Sequence, residues 1–316
     1  MLRRSLFLAG AVAATAVPAL AQSTSEPFAF RSGGVPGDDV TPFLYAQSSG
    51  MFRRNGLDAT LDAATSGSTV AAAVVGGSYL FGKSSLVSLI TAHARNVPIV
   101  LVAPAGVWNT KAPVTGLVVR SDSPIKSAAD LNGKTIAASS LNDQYTLCTK
   151  AWIDAHGGDS STLKIIEIPG SALAAAIAQG RADAGTLEAP HLELAIKSGT
   201  VRLLGRTFDA LGPRWLFSAW FTTQDQLKKY PKVAEAFVRT MHDATVYSNA
   251  HHADTVGLIA KAASLDADEL SKTTRTTCGE TLDAREIQPL IDAAARYKVI
   301  AAPFDARDLL APKTPA

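Results

Sequence analysis

The sequence predicts an α/β protein built from two doubly wound sheets. Three observations predict it. Short apolar segments of strand length alternate with segments of helical period along most of the chain, and such alternation gives open, mostly parallel sheets with helices on both faces. The alternation falls into two blocks, with a helical tail behind the second. The chain has 316 residues, 47% of them hydrophobic and 18% charged, which suits two packed cores of ordinary domain size.

The first element is not part of either core. Arg3 and Arg4 precede the uncharged apolar run Leu6–Val17, and Pro18 and Ala19-Leu20-Ala21 follow. A basic start, an apolar stretch and small residues three and one places before a cut make a secretion signal, with cleavage expected after Ala21. The run is too short for the roughly 20 residues that span a bilayer. Arg3-Arg4-Ser5-Leu6-Phe7-Leu8 also has the look of a twin-arginine signal, and the choice between that route and Sec stays open. No cysteine follows the run, so lipid anchoring is not expected. The whole chain carries 30 Lys+Arg against 28 Asp+Glu, and two of the arginines lie in the leader, so the mature chain is formally neutral. Neutrality gives no electrostatic case for nucleic acid or an anionic membrane as partner.

Phe28-Ala29-Phe30 predicts a first strand, and Gly33-Gly34-Val35-Pro36-Gly37 a loop. Asp38-Asp39 ahead of Thr41-Pro42 opens a helix, with acids near its positive end and proline in its first turn. That helix is expected to stop before Gly50. Leu57–Ala63 alternates as a strand, and an alanine-rich helix follows Ser66-Gly67-Ser68-Thr69. Tyr79-Leu80-Phe81 predicts a short strand, with Gly82-Lys83-Ser84-Ser85 opening the next helix, and Pro98–Val102 a buried strand. In the second block, strands are expected at Thr115–Arg120, Thr135–Ala138, Lys164–Ile168 and Val201–Leu204, with another beginning at Asp183-Ala184-Gly185-Thr186 and having Leu187-Glu188-Ala189-Pro190 at its end. The helices between them end near His156 and Gln179. Trp215–Thr222 returns as a strand, and from Gln224 to about Tyr297 the pattern is helical. Crossings between lobes are expected near Ala112–Arg120 and Arg206–Pro213. Lobe 1 is then 22–117 with 208–316, and lobe 2, inserted into it, is 118–207.

Several motifs look chemical without the context that chemistry needs. Gly77-Ser78-Tyr79-Leu80-Phe81-Gly82-Lys83-Ser84 matches the phosphate-loop spacing, but its Tyr-Leu-Phe centre predicts strand, so no phosphate cradle forms. Ser123-Pro124-Ile125-Lys126 fits S-x-x-K, yet neither S-D-N nor K-T-G follows. The six histidines form no H-E-x-x-H, and His251-His252 are adjacent, which points them to different helix faces. No metal or cofactor is expected. Cys148 and Cys278 are the two cysteines. An oxidising compartment permits a bridge between them, and two buried free thiols are the alternative.

Phe52, Gly56-Leu57, the Ser66-Gly67-Ser68 turn and Ala129-Asp130-Leu131-Asn132-Gly133-Lys134 recur in one order with Gln179-Gly180-Arg181-Ala182-Asp183-Ala184 and Glu188-Ala189-Pro190. With the export signal, this order resembles the nitrate/sulfonate/taurine-type periplasmic substrate-binding proteins of ABC importers, a group that includes thiamine-pyrimidine-precursor binders. The resemblance covers nearly all of the mature chain. It implies a type II-like periplasmic-binding-protein fold, with two lobes, a hinge and a cleft. It also implies a periplasmic monomer that is not an enzyme and hands a small molecule to an ABC permease. A ligand sensor docking on a membrane receptor has the same sequence signature, and an enzyme on this scaffold lacks a nucleophile and base here. The related pyrimidine synthases carry a C-C-C-F-C motif that this chain does not have.

By the same resemblance the cleft is lined by Ser66, Gly67 and Ser68, by Lys83, Ser84 and Ser85, and by Ser139, Ser140 and Asn142. Ordinary helix capping explains serine at these turns equally well. Asp38 and Asp39 occupy another cleft position, and Glu188 stands at a strand end facing the same region. Trp108, near a crossing, is a candidate stacking wall, as are Tyr145, Trp215 and Trp220, with core packing as the alternative. Two or three carboxylates facing the cleft would favour a cationic or zwitterionic ligand, or a heterocycle with N–H donors, over a bare anion. Named candidates are a sulfonate such as taurine, a pyrimidine-type precursor and an aromatic acid.

Overall fold

A computed structural model describes residues 26–311, and the leader expected over 1–21 lies outside the described residues. Four strands open the chain: β1 (Phe28–Gly34), β2 (Leu57–Ala63), β3 (Phe81–Ser85) and β4 (Ile99–Pro104). A short β5 (Gly106–Asn109) follows, then β6 (Thr115–Arg120), β7 (Thr135–Ala138), β8 (Lys164–Glu167), β9 (Ala184–Glu188) and β10 (Val201–Gly205). The return gives β11 (Arg214–Leu216) and β12 (Ser218–Thr223), with β13 (Thr277–Cys278) inside the helical tail.

Two five-stranded sheets share one plan. Their strand orders are β2-β1-β3-β12-β4 and β8-β7-β9-β6-β10. The first three strands of each order are parallel. The fourth runs antiparallel to both neighbours. In each sheet the antiparallel strand is the first one made after the chain passes over from the other sheet. The expected sheets were mostly parallel, and four strands of five in each do share a direction. The reversed strand is set by topology, because period and composition are the same in either direction.

Helices cover the sheets where the pattern placed them, at Thr41–Ser48, Gly67–Val75, Gln144–Ala155 and Gly170–Ala178, and a further short helix, His191–Lys197, lies where none was expected. One boundary moves. The expected strand Tyr79–Phe81 and helix from Gly82 become a strand Phe81–Ser85 and a helix Leu86–Ala94. Gly82 must pass under the helix Gly67–Val75: a Cβ there would lie 2.6 Å from Val70 Cγ1 and 2.8 Å from the Phe221 ring. Gly82-Lys83-Ser84-Ser85 is therefore extended backbone in mid-sheet, which removes any phosphate loop. Phe217 likewise splits the single strand expected at Trp215–Thr222. β11 leaves to join β5 and β13 in a small third sheet, with Trp215 opposite Trp108.

The tail from Gln224 is helical at Gln224–Lys229, Pro231–Ala250, His252–Ala263, Ala267–Ser271 and Ala284–Arg296. One core, containing Phe30, Phe43, Phe81, Trp220 and Phe237, lies between the first sheet and the helix Pro231–Ala250. A second runs from Val70 and Leu86 through Trp108, Phe208 and Trp215 to Leu147 and Cys148, and to Ile287, Leu290 and Ile291. That cluster ties the helix Gln144–Ala155 of the second sheet to the last long helix. Tyr297 Oη, just past that helix, donates to Asp154 Oδ2 at 2.7 Å. Cys148 and Cys278 are both buried and free. Burial pushes both thiols well above the usual range, so they are unreactive.

Candidate functional site

The carboxyl ends of strands in such sheets are where a ligand cleft forms. On the first sheet, the turn Asp38–Val40 leads into the helix Thr41–Ser48 and brings two acids to this edge. β3 alternates Phe81, Lys83 and Ser85 onto one face, and β12 sets Trp220 opposite Lys83. Asp39 is 7% exposed and Lys83 5%. Asp39 Oδ1 accepts from Lys83 Nζ at 2.6 Å, and its Oδ2 accepts from Ser218 Oγ at 2.5 Å. Asp38 is held as firmly. Its Oδ1 and Oδ2 each accept from Arg275 Nε at 2.9 Å, Oδ1 also from Nη2 at 2.5 Å, and Oδ2 from the Thr276 N–H at 2.6 Å. Thr41 Oγ1 adds a bond at 3.1 Å.

These pairs correct two expectations. Asp38 and Asp39 are not free cleft acids, because each has its own buried cation. Lys83 does not reach out from a helix start: it lies in a strand, and Asp39 holds its ammonium. A paired buried charge is held in place, since freeing either partner leaves the other uncompensated.

The second sheet offers the opposite arrangement. Glu188 ends β9 and is partly exposed. Tyr145, in the first turn of the helix Gln144–Ala155, donates its hydroxyl to Glu188 Oε2 at 2.5 Å. Oε1 has no bond among the described residues. Thr115, the first residue of β6, is the cross-strand partner of Glu188, which places both side chains on one face. Thr115 is 2% exposed and its hydroxyl has no partner among the described residues. Burial raises the Glu188 carboxyl from its ordinary 4.5 to about 7. The bond from Tyr145 opposes that rise, Asp39 and Asp38 add to it, and Lys83 counters them. Asp39, Asp38 and Lys83 thus lie near enough for their charges to shift the Glu188 carboxyl. Burial and the Glu188 charge push the Tyr145 hydroxyl well above its usual range, so it remains a donor.

The hydroxyl turns divide. Ser66 caps the helix Gly67–Val75, accepting from the Thr69 N–H at 3.2 Å, and it also bonds Ser68 Oγ at 3.0 Å. Ser85 caps Leu86–Ala94 by accepting from the Ser88 N–H at 3.3 Å. Ser139 donates to Asp143 Oδ2 at 2.5 Å, and Asp143 is the actual cap of Gln144–Ala155. Ser140 Oγ accepts from the Asn142 N–H at 3.5 Å on the exposed side of that turn. Ser84 is buried, and its hydroxyl has no partner among the described residues. Gly67 stands over it so closely that a Cβ would lie 2.1 Å from Ser84 Oγ.

The aromatic candidates are core residues. Trp108 is fully buried, edge-on to Phe208, with Nε1 donating to Asp209 Oδ1 at 3.1 Å. That rules it out as a stacking wall. Trp215 donates to the Phe208 carbonyl at 2.9 Å, and Trp220 stacks on Phe43 at 5.0 Å. Tyr145 alone reaches the site, as a hydrogen-bond donor. Ser218 and Arg275, which bond Asp39 and Asp38, and Thr115, which lies opposite Glu188, had no local sequence signal. Among the described residues, no three His, Cys, Asp or Glu side chains gather as a metal site.

The family model described as NMT1/THI5 like matches residues 38–254. No curated protein matches. Among solved structures, the periplasmic aliphatic sulphonate binding protein SsuA of Escherichia coli is 20% identical. It aligns over 92% of this chain and 94% of its own, with a TM-score of 0.76. The alkanesulfonate-binding protein SsuA of Xanthomonas axonopodis pv. citri, bound to MOPS, is 17% identical over 91% and 99%, with a TM-score of 0.71. A ligand-binding component of an ABC-type import system from Staphylococcus aureus is 12% identical over 90% and 97%, with a TM-score of 0.76. At these identities the likeness is one of fold, the two-sheet periplasmic-binding-protein fold that the sequence predicts.

Proposed function

The chain belongs to the NMT1/THI5-like family, and from that membership we propose that it is a periplasmic solute-binding protein without catalytic activity. It captures a small organic molecule between two lobes and delivers it to an ABC permease. In this reading the region 118–207, around the second sheet, moves as one body against the rest. The observation that carries the reading is the meeting of two strand-end sites, Asp39–Lys83 on one sheet and Glu188–Tyr145 on the other. Charges on the first act on the carboxyl of the second, and in this reading the solute is held between them. Hinged closure over such a gap is an established way to trap a ligand. Binding at a hundredfold excess over the dissociation constant stabilises the folded state by about 3 kcal/mol.

The test is a thermal-shift screen of small organic solutes on the mature chain, with small-angle scattering on each hit. A hit raises Tm and shrinks the radius of gyration as the lobes close. Turnover of a solute without a shift in Tm would overturn the reading in favour of an enzyme on this scaffold.

A further inference from the structure

The charges around the cleft are not equally available to a ligand. Lys83 is bound to Asp39 and Arg275 to Asp38, all four of them inside the first lobe. An anionic ligand group that drew on either cation would strand a buried carboxylate. Glu188 differs: one oxygen holds Tyr145, and the other is open. Beside it stands Thr115, whose buried hydroxyl has no partner among the described residues. A buried hydroxyl left without a partner is costly, and a bound group that bonds it removes the cost.

We propose that Glu188 and Thr115 form a subsite for a protonated nitrogen group of the ligand, an ammonium, amidinium or guanidinium. Such a group has two or more N–H donors. One bonds Glu188 Oε1, and a second bonds Thr115 Oγ1, which lies on the same face of the β6–β9 pair. Tyr145, through its bond to Oε2, fixes the carboxyl in place and acts as a positioning residue. A sulfonate in the same place offers only acceptors and negative charge to a carboxyl, and Asp39 and Asp38 lie across the gap. The inference rests on the solute-binding reading and narrows it to one ligand class.

The test uses the mature chain and five probes: butylamine, butylguanidine and benzamidine against butanesulfonate and benzenesulfonate. Calorimetry on the wild type, Glu188→Gln and Thr115→Val measures binding. Glu188→Gln keeps an acceptor for Tyr145 and Thr115→Val keeps the volume, so matched circular dichroism spectra control for folding. The expected result is that at least one nitrogen cation binds and neither sulfonate does. Glu188→Gln then weakens the cation at least tenfold, and Thr115→Val weakens it severalfold. Equal cation binding by Glu188→Gln, or sulfonate binding untouched by that change, overturns the subsite. If no nitrogen cation binds while another solute raises Tm and closes the lobes, the subsite fails and the solute-binding reading stands. If nothing raises Tm and a solute is turned over, the solute-binding reading itself fails.

Discussion

Two carboxylate sites, one at each sheet, are built in opposite ways. On the first sheet Asp39 has a buried lysine and a serine hydroxyl, and Asp38 has an arginine and a backbone N–H. On the second, Glu188 has a single neutral donor. A fully paired acid is scaffold, fixed by the partner it would strand on leaving. An acid with only a neutral partner keeps a proton that a ligand can displace. The sequence-level expectation treated all three acids as one class, and the structure separates them by the distance to a cation.

The largest test of that contrast is Lys83→Met. It leaves Asp39 buried without its cation and is expected to cost about 3–5 kcal/mol in urea unfolding. Adding Asp39→Asn should restore at least half of that loss, because the stranded charge is gone. A single-mutant cost below about 1 kcal/mol would place this pair among weak surface bridges instead.

Glu188→Gln tests the other side and should have the reverse sign. The folded carboxyl titrates at about 7 against an ordinary 4.5. Below pH 4.5 it is protonated folded or unfolded, and the change is neutral. Between 4.5 and 7 the folded state binds the extra proton, so wild-type stability falls as pH rises; above 7 the deficit is constant. At pH 8 the variant should therefore be more stable by about 1–3 kcal/mol, the lower figure allowing for partial exposure. Equal stability at pH 4 and pH 8 in both proteins would erase the contrast.

Tyr145→Phe should act more gently. Its hydroxyl lowers the Glu188 pKa, so its loss raises the carboxyl midpoint further, seen by carbon NMR titration, and costs about 1 kcal/mol. The smallest effect belongs to Ser66→Ala, which removes a cap worth about 0.5–1 kcal/mol. If that change instead weakens ligand binding with Tm unmoved, Ser66 is a cleft contact as well as a cap.

How much of this was legible follows from range. Leu57–Ala63 falls where its alternation places it, and Thr115–Arg120 and Thr135–Ala138 fall where short runs of apolar and small residues place them, because strand length and composition are written into consecutive residues. β5 and β13 have four and two residues, too few to show a period. Helix caps were visible at Ser66 and within Ser139–Asp143, where Asp143 is the residue that accepts from the helix N-terminus. The acids of the site were visible as residue types at turns. Their partners were not: Arg275 reaches Asp38 from the far helical tail, and Lys83 sits in a stretch that looked like a helix start. Whether an acid is free is decided by such distant contacts.

β12 gives the two sheets different histories. The second sheet is made from one unbroken stretch, Thr115–Gly205, and has all its strands once that stretch is synthesised. The first sheet begins earlier, yet β3 and β4 have an empty lane between them until Thr223 emerges to fill it. Its pairing is non-local and so slow to form. The sheet that is begun first is the last to be completed, and until then it has two unpaired inner strand edges, which other chains can pair with.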